Sequence, residues 1–113
     1  MKIELFHTGL LMVNTYIAYD EDSKEAMLVD IGGHDERITD YINKNALNLK
    51  YIVLTHGHAD HIMGVNETLQ DFPSAKIIAG RGDMEMLEDP IYNESESFFG
   101  TAYTIDAGLI RFV

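Results

Sequence analysis

Apolar and polar positions change their period several times along the chain, and each change marks an element. Residues 2–7, Lys-Ile-Glu-Leu-Phe-His, read as a short first strand. Residues 14–20 and 25–31 read as two more, joined across the polar turn Asp20-Glu21-Asp22-Ser23-Lys24 as a hairpin of the longer-loop kind. Gly32-Gly33 closes the second of these strands. Over residues 35–45 the period lengthens: Ile38, Tyr41 and Ile42 share a helical face, Asp35, Glu36, Arg37 and Asp40 take the other positions, and Asp35 stands as N-cap. Tyr51–Thr55 is a continuous apolar run of strand length, the pattern of a strand buried on both faces. Ile62, Val65, Leu69 and Phe72 predict a helix over 62–72 that ends before Pro73. Residues 75–79 read as another short buried strand. Asp83 is placed to cap a helix carrying Met84 and Leu87, which Pro90 stops. Residues 91–100 read as loop, and 103–105 with 109–113 as a closing hairpin around Asp106-Ala107-Gly108. The order predicts an α/β fold, a mixed sheet with flanking helices.

Composition narrows the chemistry. With 113 residues the chain makes one domain at most, and 46% apolar with 24% charged residues suits a packed core rather than disorder. There is no cysteine, so disulfides and thiolate ligands are excluded, and any metal must use histidine, carboxylate, carbonyl or water. That composition fits a reducing, cytoplasmic setting. The net charge of −11 repels phosphate backbones, so no nucleic-acid partner is expected; the same charge attracts cations and, more simply, keeps a surface soluble. Glu4 and His7 interrupt the opening MKIELFHTGLL, which does not read as a signal peptide. No apolar run approaches the roughly 20 residues that span a bilayer, so no membrane partner is expected.

Three of the five histidines fall within six residues, in Thr55-His56-Gly57-His58-Ala59-Asp60-His61. Imidazole and carboxylate are natural ligands for zinc and similar metals. If the chain stays extended beyond its strand, His56 and His58 point to one side and can share a metal. Asp60 and His61 follow as the backbone turns into a helix and can face a second. The bland alternative is a polar loop with satisfied histidines. His34, just after Gly32-Gly33, is a possible extra ligand, although its ordinary role is an exposed loop histidine; His7 reads as a surface residue. Asp30 alone could be a turn former. Met84 and Met86 read as core, and Arg81 as a surface residue. Gly80-Arg81-Gly82 lacks the third glycine of a dinucleotide fingerprint.

The segment Thr55-His56-Gly57-His58-Ala59-Asp60-His61-Ile62-Met63-Gly64 resembles the metal-binding signature of the metallo-β-lactamase superfamily. Val29-Asp30-Ile31-Gly32 resembles that family's earlier Asp-x-Gly motif. With Asn14-Thr15-Tyr16 and the acidic hairpin turn, the chain looks most like the glyoxalase II, or hydroxyacylglutathione hydrolase, branch. The resemblance implies the N-terminal half of an αββα sandwich, so that residues 1–113 are a single, partial domain. It implies zinc as cofactor, one or two ions, with iron or manganese as alternatives. His56 and His58 would hold the first ion and Asp60 and His61 the second, with Asp60 also catalytic and Asp30 supporting the histidines by hydrogen bonds. It implies hydrolysis of a small-molecule thioester or ester by metal-activated hydroxide; iron-dependent sulfur oxidation is a variant of the same ligand set. The family's later ligands have no counterpart here, since no histidine follows His61. That departure predicts either a complementing C-terminal half or a homo-oligomer closing an open apolar sheet face. The alternative to an enzyme is a non-catalytic metal-binding or self-associating half-domain.

Overall fold

The computed structural model of the chain describes residues 1–113, with the side chains of Phe98 and Ala107 left aside. Six strands form one sheet in the order of the sequence: β1 (Lys2–Thr8), β2 (Val13–Tyr19), β3 (Glu25–Val29), β4 (Asn48–Leu54), β5 (Lys76–Ala79) and β6 (Ile110–Phe112). The first three are antiparallel neighbours, and from β3 to β6 every pair is parallel. The polar turn between β2 and β3 is tied by Asp20, whose Oδ1 accepts from the backbone N–H groups of Asp22 and Ser23. The expected α/β fold with a mixed sheet is present.

Helix α1 (Glu36–Lys44) begins where its sequence places it. Asp35 is extended, and its carboxylate accepts from Arg37 N at 2.9 Å. Arg37 returns a side-chain ion pair to Asp35 and donates from Nη2 to the His7 carbonyl at 2.9 Å, which fastens the helix start to the end of β1. Ile38 and Ile42 are buried, joining Ile17, Leu28, Ile52 and Ile77 on the covered face of the sheet.

Strand β4 corrects the reading of Tyr51–Thr55 as buried on both faces. Ile52 and Leu54 are buried, but Tyr51 is exposed and Val53 only partly covered. A bulge makes this possible: Ala26 pairs with Leu49 and Met27 with Tyr51, so Lys50 is the extra residue. The insertion resets the alternation so that Leu49 and Ile52 both face inward. The other sheet face runs through Ile3, Leu5, Tyr16, Met27, Val29, Tyr51, Val53 and Ile78, and its outer part is open: Ile3 is 62%, Leu5 48% and Tyr16 38% exposed. This is the open apolar face the sequence predicts.

Four local expectations are corrected. The helix expected over 62–72 is two helices, α2 (Ala59–Ile62) and α3 (Val65–Asp71), broken at Met63-Gly64. Residues 91–100 are not all loop, because α5 (Ser95–Phe99) follows the short α4 (Met84–Glu88). Asp83 stands at the start of α4 without a side-chain capping bond. The closing hairpin does not form: Ile105 is buried and donates its N–H to Leu87 O, while β6 pairs parallel with β5. Burial of Ile105 against α4 outweighs the local turn signal at Asp106-Ala107-Gly108.

The break at Gly64 has a steric cause. Gly64 N–H donates to Ile31 O at 2.9 Å, and a Cβ on Gly64 would lie 2.5 Å from the Gly33 carbonyl carbon. Gly32 is equally confined, since a Cβ there would collide with the Asp60 carbonyl oxygen. The loop after β3 therefore crosses the α2–α3 region backbone to backbone. Gly64→Ala is expected to lower unfolding free energy by about 1–3 kcal/mol through overpacking, read by denaturant titration. Asp35 offers a second check with a defined pH dependence. The side-chain hydrogen bond from Arg37, then the bond from Arg37 N–H, hold its carboxyl below the ordinary 3.8. A depressed folded value contributes stability that is present above the unfolded value and lost as pH falls through the folded one. Asp35→Ala should thus destabilise by about 1 kcal/mol near pH 7, and the difference from the parent chain should shrink as pH falls below 3.8.

Candidate metal centre

The end of β3 delivers the centre's anchor. Asp30 follows Val29, is only 5% exposed, and adopts a left-handed φ of +53°, a conformation aspartate tolerates better than most residues. Its N–H donates to Val53 O at 2.9 Å, continuing the parallel pairing with β4. Both carboxylate oxygens are used. Oδ1 accepts from Thr55 N at 2.8 Å; Oδ2 accepts from the Thr55 hydroxyl at 2.5 Å and lies 3.0 Å from His61 Nδ1.

These bonds set the histidine tautomers. A carboxylate oxygen only accepts, so His61 Nδ1 carries a proton, and in the neutral ring Nε2 presents the lone pair. The Thr55 hydroxyl spends its proton on Asp30, so at 3.2 Å from His56 Nδ1 it accepts, and His56 also keeps Nε2 for a ligand. One buried carboxylate thus orients two imidazoles, one directly and one through a hydroxyl, as metal-binding histidines require. Burial first, and the neighbouring His61 next, lower the His56 pKa, with Asp30 and Asp60 partly offsetting them. The neutral imidazole is the form that binds metal.

The structure brings the cluster together more tightly than an extended segment would. The rings of His56 and His61 have centroids 4.0 Å apart, and those of His56 and His58 5.2 Å. Ligand atoms of Asp30, His56 and His61 lie within 4.8 Å of one another. Asp60 Oδ2 is 3.4 Å from His61 Nε2. His58 occupies the position before α2, whose first N–H, that of Ala59, is taken by Asn93 O at 2.8 Å. The set, imidazole and carboxylate with two Nε2 lone pairs oriented by the protein, fits a divalent metal.

His34 is not brought to the centre. After the glycine crossing the chain enters α1, and His34 Nε2 meets Asp71 Oδ2, at the end of α3, at 2.7 Å, an oxygen that also accepts from Thr39 at 3.2 Å. His7 is exposed on β1. Sequence reasoning passed over Thr55 as a hydrogen-bonding group, and also Leu11, Asn93, Glu94 and Phe99. These last four join His56, His58, Ala59 and Asp60 around an open cleft of about 250 Å³. The position of Thr55 between Asp30 and His56 was available from the motif; nothing local marks the other four.

Known proteins resemble this chain in sequence and in fold. The profile of the Metallo-beta-lactamase superfamily matches residues 8–111. Hydroxyacylglutathione hydrolase 1 of Vibrio vulnificus is 34% identical over 96 residues, covering 85% of this chain and 38% of that protein. The hydroxyacylglutathione hydrolase of Francisella tularensis subsp. holarctica is 35% identical over 89 residues, covering 79% of this chain and 34% of that protein. The chain therefore spans between a third and two fifths of the length of these relatives. Among solved structures, the BLEG-1 B3 metallo-beta-lactamase matches with a TM-score of 0.83 at 30% identity, over 93% of this chain and 49% of its own. TTHA1623, solved in a di-iron-bound form, matches with a TM-score of 0.76 at 20% identity over 97% of this chain and 53% of its own, a likeness of fold. No helix among the described residues is long and apolar enough to cross a membrane.

If Asp30 holds the two histidines as described, Asp30→Asn should weaken zinc binding by roughly 10- to 100-fold, measured by competition with a chromophoric chelator. Thr55→Val, which touches only the His56 arm, should give a smaller loss in the same direction. An unchanged zinc affinity in Asp30→Asn would show that the carboxylate does not prepare the ligands.

Proposed function

The chain belongs to the metallo-beta-lactamase superfamily, and from that premise we propose that it carries the metal-binding portion of a hydrolase acting on thioesters of the hydroxyacylglutathione type. The observation that carries this reading is the buried Asp30 carboxylate, which turns His61 and, through Thr55, His56 into preset ligands. The identity to named hydroxyacylglutathione hydrolases supports the choice of substrate class. A cytoplasmic setting belongs to the same reading, since no residue calls for an oxidising compartment.

In this reading His56 and His58 hold one ion and Asp60 and His61 a second, with zinc the expected metal and iron or manganese alternatives of the same ligand chemistry. A bound metal of this kind supplies an acidified water and polarises the substrate carbonyl. The rest is done by the chain. Asp30 holds the proton on His61 Nδ1, and Thr55 holds the one on His56 Nδ1, so neither ring turns its lone pair away. Asp60, with its side chain partly exposed in the cleft, orients the attacking water and accepts its proton.

A second reading rests on a separate observation, the open sheet face of Ile3, Leu5 and Tyr16. A catalytic zinc takes three protein ligands, and His56 with His58 offers two. A further chain segment or a second copy covering that face would remove apolar surface from water and bring the remaining donors.

Three measurements test these readings. Protein purified without added metal or chelator is expected to contain about one or more zinc or iron per chain by plasma mass spectrometry. Hydrolysis of a hydroxyacylglutathione, followed by thiol release, should fall to background in His58→Ala; activity untouched by that change would sink the hydrolase reading. For the sheet face, light scattering should show mass rising with concentration, and Leu5→Lys with Tyr16→Lys should restore the monomer mass. A monomer at every concentration in the parent chain would remove the self-association reading.

A further inference from the structure

The Asp30 network orients His56 and His61 and leaves His58 and Asp60 to be placed by other parts of the chain. His58 is extended, with φ −67° and ψ 144°, and no side-chain bond caps α2 there. The direction of its ring therefore follows from the backbone on either side, and residues 84–105 hold both sides. On the first side, a Cβ on Gly57 would lie 3.1 Å from Met86 Cβ and 3.3 Å from Leu87 Cδ2, so the link between His56 and His58 is packed on α4. On the other side, the Ala59 N–H is one that a helix leaves without an internal partner, and it donates to Asn93 O at 2.8 Å.

Asn93 is itself firmly held. It is fully buried; its Oδ1 accepts from Ser95 N at 2.9 Å and its Nδ2 donates to Tyr103 O at 2.8 Å. Its own N–H donates to Asp89 O at 3.0 Å. Ser95 Oγ accepts from Tyr103 N at 2.9 Å, which doubles the tie to Tyr103. The Tyr103 hydroxyl in turn accepts from Asn66 N at 2.9 Å and donates to Glu67 Oε2 at 3.2 Å, so the assembly is fastened to the start of α3. A buried amide bonded at both ends keeps one orientation, because turning it would strand polar atoms away from water. The side chain of Asn93 thereby fixes its own carbonyl, the group that receives Ala59.

We propose that Asn93 is a positioning residue for the metal centre: by fixing the Ala59 N–H it sets His58 and Asp60, as Asp30 sets His56 and His61. This rests on the ligand assignment given above and is independent of the substrate. In that assignment each ion takes one ligand from each arm, His56 with His58 and His61 with Asp60. Loosening Asn93 therefore weakens the hold on both ions while leaving the Asp30 arm in place.

The test compares the full chain with Asn93→Ala, Ser95→Ala and Ile42→Val, the last a truncation in the core on α1. In the metal-free chain, NMR cross-relaxation should join the His56 ring to those of both His58 and His61, whose centroids lie 5.2 and 4.0 Å away. Asn93→Ala should lose the His58 contact and keep the His61 contact. Its Ala59 amide should exchange with solvent about tenfold faster, as loss of one hydrogen bond allows, while the Asp30 amide, bonded to Val53 O, is unchanged. Zinc affinity, by competition with a chromophoric chelator, should fall about tenfold. Ser95→Ala removes a bond from the same turn and should move every readout in the same direction by less; it decides the matter if Asn93→Ala does not fold. Ile42→Val should lower the melting temperature and move none of them. Loss of both histidine contacts together, Ala59 and Asp30 amides accelerating alike, an unchanged zinc affinity, or equal effects in Ile42→Val would each overturn the proposal. A parent chain that binds no zinc removes the ligand assignment itself; the positioning by Asn93 is then judged on the metal-free contacts, which need no ion.

Discussion

The buried carboxylate of Asp30 is the point on which the site depends. It sits where three pieces of chain meet: the end of β3, the end of β4 through Thr55, and α2 through His61. A carboxylate this far from water is tolerated only when donors surround it, and here an amide, a hydroxyl and an imidazole N–H do so. The same bonds that satisfy the charge orient two of the candidate ligands. Structural need and site preparation are thus one interaction.

That interaction in turn requires the glycine crossing. Gly64 and Gly32 let the loop after β3 meet the α2–α3 region at backbone distance. A side chain at either position would push Asp30 away from His61. Past the crossing the chain enters α1, and His34 pairs with Asp71 at the end of α3 instead of reaching the cluster. Ligand sites of parallel sheets gather at the carboxyl ends of strands, and β3 and β4 follow that rule.

Electrostatics give the molecule a second theme. A chain of net charge −11 has long-range attraction for cations, and its cleft keeps Asp60 and Glu94 at the entrance. Such a field favours metal loading. The sheet face turned away from the helices is apolar instead, and its outer part, at Ile3, Leu5 and Tyr16, is exposed.

Elements whose signal is local were legible in the sequence. The β2–β3 hairpin, α1 with its Asp35 cap, and β4 running into the histidine segment follow from periodicity, turn residues and capping chemistry within a few positions. The histidine cluster was legible for the same reason, since its donors lie within six residues. Only the tertiary structure decided the rest. The bulge at Lys50 depends on the partner β3. The parallel pairing of β6 depends on β5, more than thirty residues earlier, and on Ile105 finding α4. The five-residue α5 is held by Asn93 and Tyr103 rather than by helical propensity. Asp30 meets Thr55 and His61, 25 and 31 positions away, only after the sheet forms. Interactions across such separations leave no periodic trace along the chain, because their free energy is realised only when loop closure has been offset by burial of the core.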